Sequence, residues 1–190
     1  MAADEPTILQ LRTVHRGFST FSIAQIRLAN GTVLQREIED HGDAVAVLPY
    51  DPVRRTALLV RLLRPAPLYR GLGAELTEAA AGLIDDGETA EAAAAREAHE
   101  ETGVSVGPLD PVGTLWASPG VSAERITLYL AACDFAGRAP GGGAPGEHEG
   151  ITVLETPLAE LAARADRAEI DDHKLLTLVQ TLRLKRPDLF

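Results

Sequence analysis

Glu97, Glu100 and Glu101, with Arg96 beside them, are the residues of this chain whose types and spacing best suit chemistry. They lie in the stretch GLIDDGETAEAAAAREAHEETGV, from Gly82 to Val104. Thr89 can cap a helix, alanines fill its middle, and Gly103 stands where a left-handed C-cap would end it, so the pattern predicts a helix over 89–102. At about 100° per residue the three carboxylates fall on one face within roughly 100°, and Arg96 is one turn from Glu100 and can orient it. Such crowding costs a few tenths of a kcal/mol per like-charged pair on a helix, roughly. A divalent cation turns that cost into binding, because Mg²⁺ takes carboxylate oxygens and keeps positions open for substrate phosphates. The helix alone reads more readily as a solvated acidic face with incidental Glu–Arg pairing, since charge runs on helices are common.

The full spacing is more specific. Gly82, five residues, Glu88, seven residues, Arg96-Glu97, two residues, Glu100-Glu101, one residue, Gly103 and apolar Val104 resembles the Nudix box throughout. Seven fixed identities at background frequencies of roughly 6–7% each give a chance match of ~10⁻⁸ per starting point. Ala98 is the soft position, where that family usually has a larger aliphatic residue. The resemblance implies a mixed sheet between helices, the box forming loop–helix–loop, and attack of water on phosphorus in a nucleoside diphosphate linked to another group. By the same resemblance Glu97 and Glu101 hold metal, with Glu100 and the backbone carbonyl of Ala81 as further ligands. The ions would be two or three Mg²⁺, or Mn²⁺.

Flanking segments resemble the ADP-ribose pyrophosphatase and GDP-mannose hydrolase branch. Ser118-Pro119-Gly120 through Glu124 looks like its proline-bearing segment, which otherwise reads as a plain Pro-Gly turn. Gly146-Glu147-His148-Glu149-Gly150 is similar to its catalytic loop, which implies Glu149 as a ligand and Glu147 as general base, with Glu124 as the rival base. Arg36-Glu37 lies in a hairpin that resembles the branch's nucleotide-binding, dimer-exchanging subdomain. Arg64 matches an arginine suited to a diphosphate. Leu62, Leu63 and Ala80 depart from the branch's pattern, and the ending Glu169-Ile170-Asp171-Asp172-His173-Lys174 is closer to the GDP-mannose enzymes. The implied substrate is ADP-ribose, giving AMP and ribose 5-phosphate; GDP-mannose or another nucleotide sugar is the alternative, and a non-catalytic nucleotide-sugar sensor is the reading from another class.

These residues need a scaffold. Asn30-Gly31 between alternating runs predicts a hairpin in a small antiparallel sheet. Ala44–Pro49 and Ala57–Arg61 read as buried strands, and 112–116, 125–133 and 151–154 as further strands. Residues 158–164 and 174–184 read as helices, and 137–150, with Gly141-Gly142-Gly143, as a flexible loop. The class is α+β (mixed α/β), an α/β/α sandwich with residues 1–42 as an N-terminal β subdomain and 43–190 as the hydrolase domain.

Composition bounds the rest. A 45% hydrophobic content over 190 residues supports a real core. A net charge of −10 and 4% aromatics argue against nucleic acid as partner. No apolar run approaches the roughly 20 residues of a membrane span, and the acidic N-terminus has no signal-peptide pattern, so a cytoplasmic protein is expected. His15, His41, His99, His148 and His173 are too dispersed for a metal set, and His99 projects about 200° from Glu97; His148, between the loop glutamates, is the one to test. Cys133, the only cysteine, reads as core.

Overall fold

Two apolar stretches, Ala44–Leu48 and Ala57–Val60, form the centre of the largest sheet and are almost wholly shielded from solvent. The computed structural model describes residues 5–143 and 150–190. By contacts the chain divides into two compact units, Met1–Asp43 with Leu115–Ile126, and Ala44–Thr114 with Thr127–Phe190.

The first unit carries a three-stranded antiparallel sheet of β1 (Thr7–Arg16), β2 (Thr20–Arg27) and β3 (Val33–Asp40), in that order. The Asn30-Gly31 hairpin joins β2 to β3. Gly31 takes φ +82°, and the Asn30 side chain accepts from the Thr32 N–H at 3.0 Å. Segment 115–126, expected within the second domain, contacts this unit: Glu39 bridges Ser122, and the Ala123 N–H donates to the Glu39 carbonyl at 2.8 Å.

The second unit contains β4 (Ala44–Asp51), β5 (Thr56–Leu63), β6 (Glu75–Glu78), β7 (Ala80–Leu83), β10 (Thr152–Pro157) and most of β8 (Asp110–Trp116) and β9 (Arg125–Ala132). Their sheet runs β10-β5-β4-β9-β8, with β6 on β5 and β7 on β4. The helices are α1 (Pro65–Tyr69), α2 (Ala90–Thr102), α3 (Leu158–Asp166) and α4 (His173–Lys185). Every residue of β4 is buried, the mark of a strand covered on both faces. Val45 and Val47 meet Ala93, Ala94 and Ala98 of α2, while α4 also packs on β4. The small side chains let α2 lie close to the sheet. Ala98 is fully buried there, which accounts for a small residue at the soft position of the box. The expected α+β class and layered arrangement are what the chain adopts.

Candidate active site

Helix α2 begins and ends where its sequence signals lie. The Thr89 hydroxyl accepts from the Ala92 N–H, and Gly103 closes the helix in the left-handed region at φ +77°. With its alanine face on the sheet, the helix turns Glu97 and Glu101 inward, leaving them 9% and 4% exposed. Buried carboxylates need donors. Glu101 Oε2 accepts from the Ala81 N–H at 2.9 Å, and Glu97 Oε1 accepts from Arg96 Nη1 at 2.6 Å. Gly82 lies directly beneath the Glu97 carboxylate: a Cβ there would fall 2.0 Å from Oε1. The box glycine is therefore a close-approach glycine.

Arg96 is the hub of this group. Its Nε and Nη2 donate to Glu88 at 3.1 and 2.9 Å, Nη1 to Glu97 and to Glu100 at 3.2 Å, and Nη2 also to the Leu83 carbonyl at 3.0 Å. The Glu88 hydrogen bonds, against some desolvation and aided by Glu97, hold the guanidinium well above its ordinary pKa. Glu88 is in turn held below the usual carboxylate range by Arg96. The pairing with Glu100 was foreseen; the larger share taken by Glu88 and Glu97 was not. Among the described residues no three histidine, cysteine or carboxylate side chains already converge as a metal site, because Arg96 lies between Glu97 and Glu100. The donor chemistry nonetheless fits Mg²⁺: hard carboxylate oxygens on one helix face beside a glycine that leaves room for them.

The far end of α2 is closed by residues distant in sequence. A helix leaves its last four carbonyls without partners. Here the His99 carbonyl accepts from the Gly103 N–H, Glu100 from Gly143 at 3.0 Å, Glu101 from Gly142 at 2.8 Å, and Thr102 from Arg138 Nη1 at 3.2 Å. Residues 138–143 are thus a docked cap, where a flexible loop was expected. Glu147, His148 and Glu149 lie outside the described residues. Gly141 takes φ +69°, and a Cβ on it would meet the Glu101 carbonyl oxygen at 2.6 Å. Gly141→Ala should destabilise by about 1–3 kcal/mol, a backbone-strain magnitude, lowering Tm by roughly 2–4 °C per kcal/mol in a scanning calorimeter. Gly107→Ala, which has nothing within 4 Å of the added Cβ, should leave Tm unchanged.

Arg64 lies in a second charged group of the same unit. Its Nε and Nη2 donate to Glu78 at 2.6 and 3.0 Å, and Lys174 Nζ donates to Glu78 and Asp172, both at 2.8 Å. Sequence reasoning missed Glu78, Asp172 and Lys174 as partners; the only local signal was Asp172 at the N-cap of α4. Burial pushes the Cys133 thiol up to about 11, in keeping with a core residue.

The first unit gathers other expected residues. Arg36, Glu37 and Gly120 line one cavity of about 420 Å³ together with Ile23, Gln35 and Val121. The Ser118 carbonyl accepts from the Val121 and Ser122 N–H groups, so Ser118-Pro119-Gly120 forms a hydrogen-bonded turn. Glu124 lies 3.5 Å from His41 Nε2, while His41 Nδ1 pairs with Glu39, which also accepts from the Ser122 hydroxyl at 2.8 Å. Burial works against protonation of His41, but Glu39 and Glu124 outweigh it and raise its pKa. The pairing of Glu124 with His41, and of His41 with Glu39, had no signal in sequence spacing.

The NUDIX domain model matches residues 40–179. A GDP-mannose pyrophosphatase of Cronobacter sakazakii is 40% identical over 152 residues, 80% of this chain and 78% of that protein. An ADP-ribose pyrophosphatase of Escherichia coli is 32% identical over 182 residues, 93% of this chain and 87% of that protein. A crystal structure of an ADP compounds hydrolase shares the fold with a TM-score of 0.78 at 22% identity, covering 99% of this chain and 97% of that one. Box, fold and relatives agree, and the chain belongs to the Nudix family of pyrophosphohydrolases.

Proposed function

We propose that the protein hydrolyses the diphosphate bond of a nucleoside diphosphate sugar with Mg²⁺, ADP-ribose being the first substrate to test and GDP-mannose the alternative. The observation that carries this is the packing of Glu97 over Gly82 and of Glu101 on the Ala81 N–H, which sets two carboxylates of the box at fixed positions. The names of the relatives support both substrates.

In this reading Glu97, Glu101, Glu100, Glu149 and the Ala81 carbonyl hold two or three Mg²⁺ ions, or Mn²⁺. When bound, the metal supplies charge neutralisation at the diphosphate and a water of lowered pKa. Arg96 positions Glu97 and Glu100 through its hydrogen bonds to both. Glu147 takes the proton of the attacking water, with Glu124 as the rival base, its carboxylate steadied by His41. Arg64 meets the diphosphate. Arg36, Glu37, Ser118, Pro119 and Gly120 bind the nucleoside portion; the shared cavity of Arg36, Glu37 and Gly120 supports that role.

The protein acts as a homodimer in which residues 1–42 exchange between copies. All ten residues of β1 are exposed, Ile8, Leu11 and Val14 among them, an apolar edge that a second copy would cover. The reading places it in the cytoplasm. None of the described helices is long and apolar enough to cross a membrane. A net charge of −10 disfavours nucleic acid.

The test is phosphorus NMR of the protein with ADP-ribose, GDP-mannose and ADP-glucose, in Mg²⁺ and in EDTA. The expected result is replacement of the diphosphate signals of one substrate by two monophosphate signals in Mg²⁺ only. Tight binding without turnover would instead indicate a sensor, and neither binding nor turnover would overturn the reading.

A further inference from the structure

We propose that Lys174, on the last helix, is a positioning residue for substrate binding: by sharing Glu78 with Arg64 it sets where the Arg64 guanidinium points and how much of the Glu78 charge an incoming diphosphate meets. This rests on the reading of Arg64 as a diphosphate-binding residue.

The geometry supports a shared carboxylate. Glu78 Oε2 accepts from both Arg64 Nη2 at 3.0 Å and Lys174 Nζ at 2.8 Å, while Oε1 takes Arg64 Nε. The Glu78 and Asp172 side chains are 2% and 3% exposed and Lys174 is 13% exposed, whereas Arg64, at 39%, is the member that faces solvent. Burial works to raise the Glu78 pKa, but Arg64 and Lys174 outweigh it and hold the carboxyl below its usual range. Burial likewise opposes the Lys174 charge, and Asp172 and Glu78 outweigh that. Glu78 and Lys174 are therefore both held in their charged forms.

An arginine paired bidentately with one buried glutamate is a neutral couple, a poor magnet for a dianion. Lys174 changes the balance by placing a second cation on the same oxygen, so the Glu78 charge is divided between two donors and Arg64 is left with a smaller share of it. Asp172 pairs with Lys174 through Oδ1, and it spends Oδ2 on the Leu175 N–H as the cap of α4. Lys174 is thus oriented by the cap of its own helix and delivered to Glu78. A purely structural role, tying α4 to β6, predicts a change in stability and nothing at the substrate.

The experiment uses the full chain with Mg²⁺ and whichever of ADP-ribose and GDP-mannose it turns over. Arg64→Ala should raise KM by roughly tenfold or more, the scale of a lost charge-assisted hydrogen bond. Lys174→Met should raise KM by about tenfold with kcat within about twofold, the pattern of lost uniform binding. Lys174→Arg should restore most of it, and the double variant should be no worse than Arg64→Ala alone, since the two act as one unit. If Arg64→Ala raises KM while Lys174→Met lowers only Tm, or if the two effects add, the inference is wrong and the reading of Arg64 stands. If Arg64→Ala leaves KM unchanged, that reading falls and takes the inference with it. Should Lys174→Met not fold, Lys174→Gln removes the charge while keeping a side-chain donor and leaves the Arg64–Glu78 pair in place; a raised KM at retained kcat supports the inference and an unchanged KM overturns it.

Discussion

Alanine at Gly82 is expected to cut turnover by about 10²–10³-fold while leaving the protein folded, because misplacing a reactive group by about 1 Å costs on the order of 10². The added methyl carbon would lie 2.0 Å from Glu97 Oε1, 2.3 Å from Cδ and 2.7 Å from Oε2. One side must yield. The backbone is the stiffer partner, since Gly82 lies in β7 opposite Val45 of the fully buried β4. Glu97 therefore swings away, and the 2.6 Å hydrogen bond from Arg96 goes with it. Gly82 itself is not in the left-handed region, so alanine brings no backbone strain of its own. The prediction is thus a large fall in kcat with a near-native circular dichroism spectrum. Wild-type turnover in Gly82→Ala would mean that the observed position of Glu97 is irrelevant to the reaction.

The parts of this site that sequence made legible are those set by short-range rules. Thr89 and Gly103 marked both ends of α2, and the 3.6-residue period put Glu97, Glu100 and Glu101 on one side of it. Asn30-Gly31 likewise marked the β2–β3 turn. What escaped depends on long-range pairing. Ala79-Ala80-Ala81 favours helix by composition, yet Ala80 to Leu83 is strand because β4 offers a ladder partner for each residue. Glycines 141–143 signal freedom by composition, but the carbonyls at the end of α2 recruit the N–H groups of Gly142 and Gly143. Glu78 lies 14 residues from Arg64 and 96 from Lys174, a separation at which no periodicity speaks. Arg96 shows a subtler limit. A helical wheel pairs it with Glu100, whereas the preceding loop brings Glu88 to both Nε and Nη2.

Glu101→Gln should lower kcat by about 10³-fold, since several kcal/mol of metal-assisted stabilisation are at stake and each factor of ten corresponds to about 1.4 kcal/mol. The substitution is nearly isosteric. An amide oxygen can still accept the Ala81 N–H that Glu101 Oε2 now accepts at 2.9 Å, so the contact between α2 and β7 survives. What disappears is a formal charge on a side chain only 4% exposed, where burial concentrates the field. Removing it relieves repulsion with Glu97 one turn away, so Tm should hold or rise slightly in EDTA. The pair of measurements separates ligand from scaffold. Falling activity with falling Tm would describe a broken helix contact, while falling activity at constant Tm, with more Mg²⁺ needed for half-maximal rate, describes a metal-holding carboxylate. Turnover within tenfold of the unaltered protein at saturating Mg²⁺ would remove Glu101 from the chemistry, since losing even a residue that orients a metal ligand typically costs about 10–100-fold.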